Sequence, residues 1–328
     1  MEIPAELDMF FMVLAFVIGA MAGSFSNVCI CRWPEGESVV SPRSRCPRCR
    51  NPLAWYDNIP IVSWLVLGAR CRHCGAPISW QYPVVEAFTG ILYLLVYWRF
   101  GPVAATPVYW ALCSGLVIVS FVDLREWIIP NEVTYSGVPL GLVVALVGMV
   151  WPEASGLRVV SVFDALIGVA LGAGLLYILD LGTQLILKKP GMGMGDMKLL
   201  AMLGAFLGWQ GVLGTLMIAC VIGSAVGLGL MAIQRLRTTP PLPQKAAPPE
   251  AATAPPTATA SAPDEQEAGD PTDASASDED DLTAAGNYLP FGPYLALAGI
   301  IHLFVGPEAI EAYMNALTPA GGGPPLGM

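Results

Sequence analysis

Long apolar runs alternate along the chain with short polar, proline- and glycine-marked segments. The apolar runs carry neither the two-residue alternation of a half-buried strand nor the narrow stripe of a surface helix, and most are long enough to cross a bilayer. Eight spans are expected, at about Met9–Val28, Pro83–Trp98, Ala104–Val122, Val133–Trp151, Val162–Leu187, Met197–Gly208, Trp209–Ile233 and Tyr288–Val305. The sixth is short, and a re-entrant segment is its competing reading. No internal repeat is evident in the pattern. The predicted fold is therefore all-α and polytopic, with about eight transmembrane helices and one polar, cysteine-bearing loop between the first two.

Composition agrees: 55% of the 328 residues are hydrophobic, and the mean hydropathy is +0.59. The net charge of −10 does not describe the whole chain. Thr238–Gly286 holds ten acidic residues and one lysine, and all other residues together sum to −1. That segment is rich in Pro, Ala and acid and nearly free of large apolar residues, so a disordered insertion is expected there.

Cations orient the spans. With eight crossings and the N-terminus outside, 14 of the 16 Lys and Arg residues fall on the cytoplasmic side, and only Arg99 and Arg158 fall outside. If segment six did not cross, Arg235, Arg237 and Lys245 would move outside, so the eight-span arrangement is preferred. The start, "MEIPAELD", lacks the basic region of a signal peptide, and the first span is read as a retained anchor.

Two chemistries remain. In the first loop, Cys46/Cys49 and Cys71/Cys74 form two C-x-x-C pairs separated by 21 residues. Each pair offers two thiolates, and two pairs complete a tetrahedron around zinc. Neighbouring arginines favour the thiolates, and a reducing cytoplasm argues against disulfides. His73 is surplus to four sulfurs. Cys29, Cys31, Cys113 and Cys220 lie in or near apolar spans and read as packing residues. "IVSWLVLG" at Ile61–Gly68 is too short to cross and is expected to pack in this module or on the membrane surface.

The second chemistry belongs to two aspartates. Asp123 ends the third span and Asp196 opens the sixth, after the glycine-rich "PGMGMG". Both are expected at the cytoplasmic face, where acids beside hydrocarbon are functional candidates. Such a pair suits aspartic proteolysis, with one carboxylate activating water and the other donating to the scissile carbonyl. Helix-start amides favour Asp196 as base and Asp123 as acid, with the reversed or a shared assignment left open. Gly193 and Gly195 permit close approach of backbone to substrate. Glu86, near the inner end of span two, is a candidate for recognising the leader or freed amine, or an interfacial carboxylate. Lys198 orients substrate or anchors its span, and anchoring is favoured. Asp164 and Asp180 are weaker catalytic candidates by depth. "GMGMGDMK" lacks the ending of a phosphate-binding loop. A transporter would place its acids nearer the midplane.

The ordered motifs "GSFSNVCICRWP", "CPRCRNPLAWYDNIPIVSWLVLGARCRHCGAPIS", "YPVVEAFTG", "DLREWIIPN", "GMGMGDMKLLAMLGAFLGW" and "LPFGPYLALAG" resemble those of the bacterial type IV prepilin peptidases, which are also N-methyltransferases, over nearly the whole chain. The resemblance implies cleavage of a basic leader from type IV prepilins and pseudopilins after a glycine, at the cytoplasmic face of the inner membrane. The new N-terminal residue is then methylated with S-adenosylmethionine. It assigns cleavage to Asp123 and Asp196, and links the cysteine module to methylation. It implies a role in type IV pilus or type II secretion assembly, with membrane lipid around the protein and no nucleic acid. The methyl-donor site is not readable from motifs. The acidic insertion departs from the pattern without interrupting a motif. A G-x-G-D protease acting on other membrane substrates, without methyl transfer, is the alternative. The expected division is 1–31 first span, 32–82 cysteine module, 83–237 peptidase core, 238–286 insertion and 287–328 last span and tail.

Overall fold

The computed structural model describes residues 4–152, 156–159, 161–188, 193–237 and 290–317. The acidic insertion, the C-terminal tail and Gly191 lie outside these residues. Among those described the regular structure is helical: α1 Ala5–Arg32, α2 Val62–Val66, α3 Gln81–Phe100, α4 Ala105–Glu126, α5 Asn131–Val150, α6 Val162–Leu187, α7 Met194–Arg237 and α8 Gly292–Leu317. Only two isolated β-bridges occur, both in the cysteine module.

Six of these helices (α1, α3, α4, α5, α6 and α7) are long and apolar enough to cross a membrane, and α8 carries a shorter apolar stretch, Gly292–Gly306. The forty-four residues of α7 would make a rod of about 66 Å, twice a bilayer's hydrocarbon thickness. Gly208 breaks it, with φ 71° and ψ −177° inside the helix. A Cβ on Gly204 would lie 2.9 Å from Cγ2 of Val212, a contact that a straight helix keeps far apart. The chain therefore turns back on itself at Gly208, at the boundary expected between spans six and seven. Only glycine suits this place: φ is positive, and a Cβ would stand 2.4 Å from Oδ2 of Asp164. With α7 counted as two arms, the architecture matches the eight-span expectation.

Close helix pairs are built on small residues, as in lipid, where apolar side chains gain little by leaving one apolar medium for another. At Gly19 a Cβ would lie 2.7 Å from Tyr93 Cβ, and at Gly23 2.7 Å from Glu86 Cα, so α1 presses directly on α3. Gly168 and Gly172 of α6 meet the backbone at Gly204 and Leu200 of α7 in the same way. Branched apolar side chains that face outward on α1, including Val13, Val17 and Ile18, form the surface expected to meet lipid. The core lies between α3, α4, the first arm of α7 and α8, where Leu116, Val119, Leu199, Leu203 and Leu295 have no exposed surface.

The chain divides into one compact unit of residues 1–223 and 290–328 and a second of 224–289. Described residues of the second unit are the closing turns of α7. Both chemistries lie in the first unit.

Candidate active site and cysteine centre

Asp123 sits in the last turn of α4, which stops because Trp127 adopts a left-handed conformation and donates its N–H to the Asp123 carbonyl at 3.1 Å. Ile128, Ile129 and Pro130 then lead into α5. Asp196 lies in the first turn of α7, where its N–H donates to the Gly193 carbonyl at 3.2 Å. Both aspartates are buried, at 6% and 9% exposure. Each carboxylate lies within electrostatic range of the other.

Two glycines make this meeting possible. A Cβ on Gly195 would lie 2.9 Å from Cβ of Ile129, so the start of α7 can press on the α4–α5 connection. A Cβ on Gly292, at the start of α8, would lie 2.5 Å from Oδ2 of Asp123 and 3.2 Å from Cδ1 of Ile129. The start of α8 therefore packs directly on the Asp123 carboxylate, and Ile129 packs against both Gly195 and Gly292. Neither Ile129 nor Gly292 is singled out by sequence reasoning. The available signal is the F-G-P triplet, which sets a glycine just before a proline suited to a first helical turn.

The other residues singled out are placed as follows. Gly193 lies beside Asp196, its Cβ position 3.7 Å from Oδ2. Lys198 turns from the acids: its Nζ donates to Asn131 Oδ1 at 3.0 Å and lies 4.8 Å from the Tyr135 ring centroid, joining α7 to α5. Glu86 is buried at 7% exposure, and its Oε2 accepts the backbone N–H of Ile61 at 2.7 Å. Asp180 is buried and accepts from Gln184 at 2.7 Å. Asp164 borders the Gly208 turn at the far end of α6.

The cysteine centre consists of two loops of one design. In the first, the Cys46 N–H donates to Asn51, Arg50 to Cys46 and Leu53 to Ser44; in the second, Cys71 donates to Ala76, Gly75 to Cys71 and Ile78 to Ala69. Each bond recurs 25 positions on, as do the bridges Arg45–Pro52 and Arg70–Pro77. C-x-x-C-x-x-P occurs twice in the sequence and is the repeat that hydropathy alone does not reveal. Arg50 and Gly75 hold the same positive φ, 57° and 68°, after the second cysteine of each loop.

All four Sγ atoms lie within 4.8 Å of one another, with Cys46–Cys74 at 3.9 Å and Cys49–Cys71 at 4.0 Å. A tetrahedron with Zn–S bonds of about 2.3 Å has sulfur–sulfur edges of about 3.8 Å. The donor set and spacing therefore fit a tetrahedral thiophilic ion such as zinc. N–H groups of Cys74 and His73 pull the Cys71 thiol down to about 6, toward the thiolate a metal requires. Arg72 is committed elsewhere, through a two-pronged bond to Asp57 with a shortest contact of 2.7 Å.

With this geometry in view, comparison with known proteins is decisive. Residues 17–100 match the Bacterial Peptidase A24 N-terminal domain, and residues 110–228 match the Type IV leader peptidase family. A prepilin leader peptidase/N-methyltransferase of Myxococcus xanthus is 41% identical over 73% of this chain and 68% of its own length. One of Aeromonas salmonicida is 34% identical over 97% of this chain and 98% of its own. The chain belongs to the type IV leader peptidase family. No solved structure matches it. The family boundary near residues 100–110 separates the cysteine-bearing part from the part holding Asp123 and Asp196, so each chemistry falls within its own matched region.

Proposed function

We propose that this type IV leader peptidase is a bifunctional, multi-pass inner-membrane enzyme. It cleaves the leader of type IV prepilins and pseudopilins after a glycine, and N-methylates the new terminus. The observation that carries the peptidase reading is that two buried aspartates, Asp123 and Asp196, stand at helix ends brought together through Gly195, Ile129 and Gly292. Two carboxylates at one such site share a proton more readily than both stay ionised. The ionised member takes a proton from water, and the protonated member donates to the scissile carbonyl as the tetrahedral intermediate forms. The close packing of Gly292 on Asp123 helps orient that carboxylate. Asp196 is assigned as base and Asp123 as acid. Gly193, exposed beside Asp196, leaves room for an extended substrate strand.

The cation distribution supports a site at the cytoplasmic face, where the substrate's apolar helix can lie among the spans in lipid and leave its leader in water. In this reading Cys46, Cys49, Cys71 and Cys74 hold zinc as a structural ion that fixes the module. S-adenosylmethionine supplies the methyl group when bound. The module spans 32–82 and the peptidase core 83–237. The activity serves type IV pilus or type II secretion assembly.

The test is cleavage of a prepilin by membranes carrying wild type, Asp123→Asn or Asp196→Asn, with mass analysis of the product's terminus. Loss in both variants and a methylated wild-type product support both activities. Cleavage surviving in either variant overturns the dyad. Cleavage without methylation leaves a G-x-G-D protease with a structural cysteine module.

A further inference from the structure

Ile61 lies between the 3-10 turn Trp55–Asn58 and α2, with φ 64° and ψ −51°. For a β-branched residue this is an outlier. The N–H of Val62 reaches the Pro60 carbonyl at 2.6 Å, closing a γ-turn of the positive-φ kind, which is rare and strained. Strain of this sort persists only where the surroundings hold it, and it gathers where geometry matters to function.

The holding group is Glu86. Its Oε2 accepts the Ile61 N–H at 2.7 Å. Because Gly23 has no side chain, α1 packs against Glu86 Cα and fixes the carboxylate from behind. From Ile61 the contacts run on into the cysteine module. Trp64 in α2 donates its Nε1–H to the Ile78 carbonyl at 3.3 Å, and its own carbonyl accepts from Ala69 at 2.9 Å. Ile78 and Ala69 close the second cysteine loop through their mutual backbone bond. A buried acid in a membrane helix is thus linked, through one strained turn and one short helix, to the loop carrying Cys71 and Cys74.

We infer that Glu86 is a positioning residue: it clamps the Ile61 turn and so sets the four-cysteine module against the helices, and methyl transfer depends on this clamp far more than cleavage does. The second part rests on the two-step function proposed above. Its physical basis is that the bond of Glu86 leads to the module, while Asp123 packs on Gly292 and Asp196 is bonded to Gly193.

The experiment uses the full-length protein as wild type, Glu86→Ala, Glu86→Gln, Ile61→Gly and the double variant Glu86→Ala/Ile61→Gly, each with a prepilin substrate. Cleaved fraction and methylated fraction of product are read by mass spectrometry. Trypsin nicking at the arginines between 43 and 72 is read on the same samples without substrate. Glu86→Ala is expected to cleave within about threefold of wild type. Its methylated fraction should fall at least tenfold, and its module should be nicked several times faster. Glu86→Gln keeps an acceptor oxygen for the Ile61 N–H and should recover most of both readouts. Glycine takes positive φ without strain, so Ile61→Gly should make the clamp partly dispensable and the double variant should outperform Glu86→Ala. The inference is overturned by unchanged nicking and methylation in Glu86→Ala, by cleavage falling in parallel with methylation, or by Glu86→Gln or the double variant doing no better than Glu86→Ala. A wild type that cleaves without methylating would remove the two-step reading alone; the nicking rates would still decide whether the clamp exists.

Discussion

Cys46, Cys49, Cys71 and Cys74 are gathered by two copies of one local loop, whereas Asp123 and Asp196 are gathered by helix ends 73 residues apart. In the cysteine loops each sulfur is placed by bonds within a few residues of itself, and the two loops need only dock. In the aspartate site each acid depends on neighbours from other helices: Ile129 before α5, and Gly292 from the start of α8. The first arrangement resists distant change and fails when a ligand is lost. The second tolerates no added atom at its contacts, however remote these are in sequence.

The sharpest way to break this contrast is at the acids. Asp123→Asn or Asp196→Asn should each lower prepilin cleavage about 10³-fold or more, the scale of general acid–base catalysis. Metal content by atomic emission should stay at the wild-type level. A variant that lost metal as well would show that the two regions do not fold independently. Next, Gly292→Ala puts a methyl 2.5 Å from the Asp123 carboxylate. Displacements of this size cost about 10–100-fold in rate, so cleavage in a gel assay should fall by that amount with metal retained.

Cys71→Ser should act in the opposite sense, removing most bound zinc and at least about tenfold of methylation, while cleavage stays within a few-fold. Arg72→Ala should do least. Its bond to Asp57 has a half-exposed cation on one side, where water screens the attraction. A few-fold faster zinc release to a chelator is the expected readout.

The same contrast explains what could be read from the sequence. The spans, the tetrathiolate spacing and the aspartates flanking helix ends were all legible, because each is set by residues close together in the chain. Even the Gly208 reversal was visible as a boundary between apolar runs. Ile129, Gly292 and the Glu86–Ile61 clamp were not, because a glycine's missing atom matters only beside a neighbour from another helix. Glu86 could be read as an acid near an interface, but nothing near it in sequence points to Ile61. The loop repeat is written in the sequence as C-x-x-C-x-x-P, but it is too short for a hydropathy pattern to show, and the positive φ shared by Arg50 and Gly75 falls on unlike residue types.

The first arm of α7, residues 194–207, is about 21 Å long at 1.5 Å per residue, well short of a hydrocarbon layer of about 30 Å. With the turn at Gly208 made by one residue, no slack remains to make up the difference. Almost every residue from Met197 to Leu207 is buried, so protein and not lipid makes up the difference. An arm this short can hold Asp196 below the level of the headgroups, where a peptide bond still anchored in lipid can meet the water that breaks it.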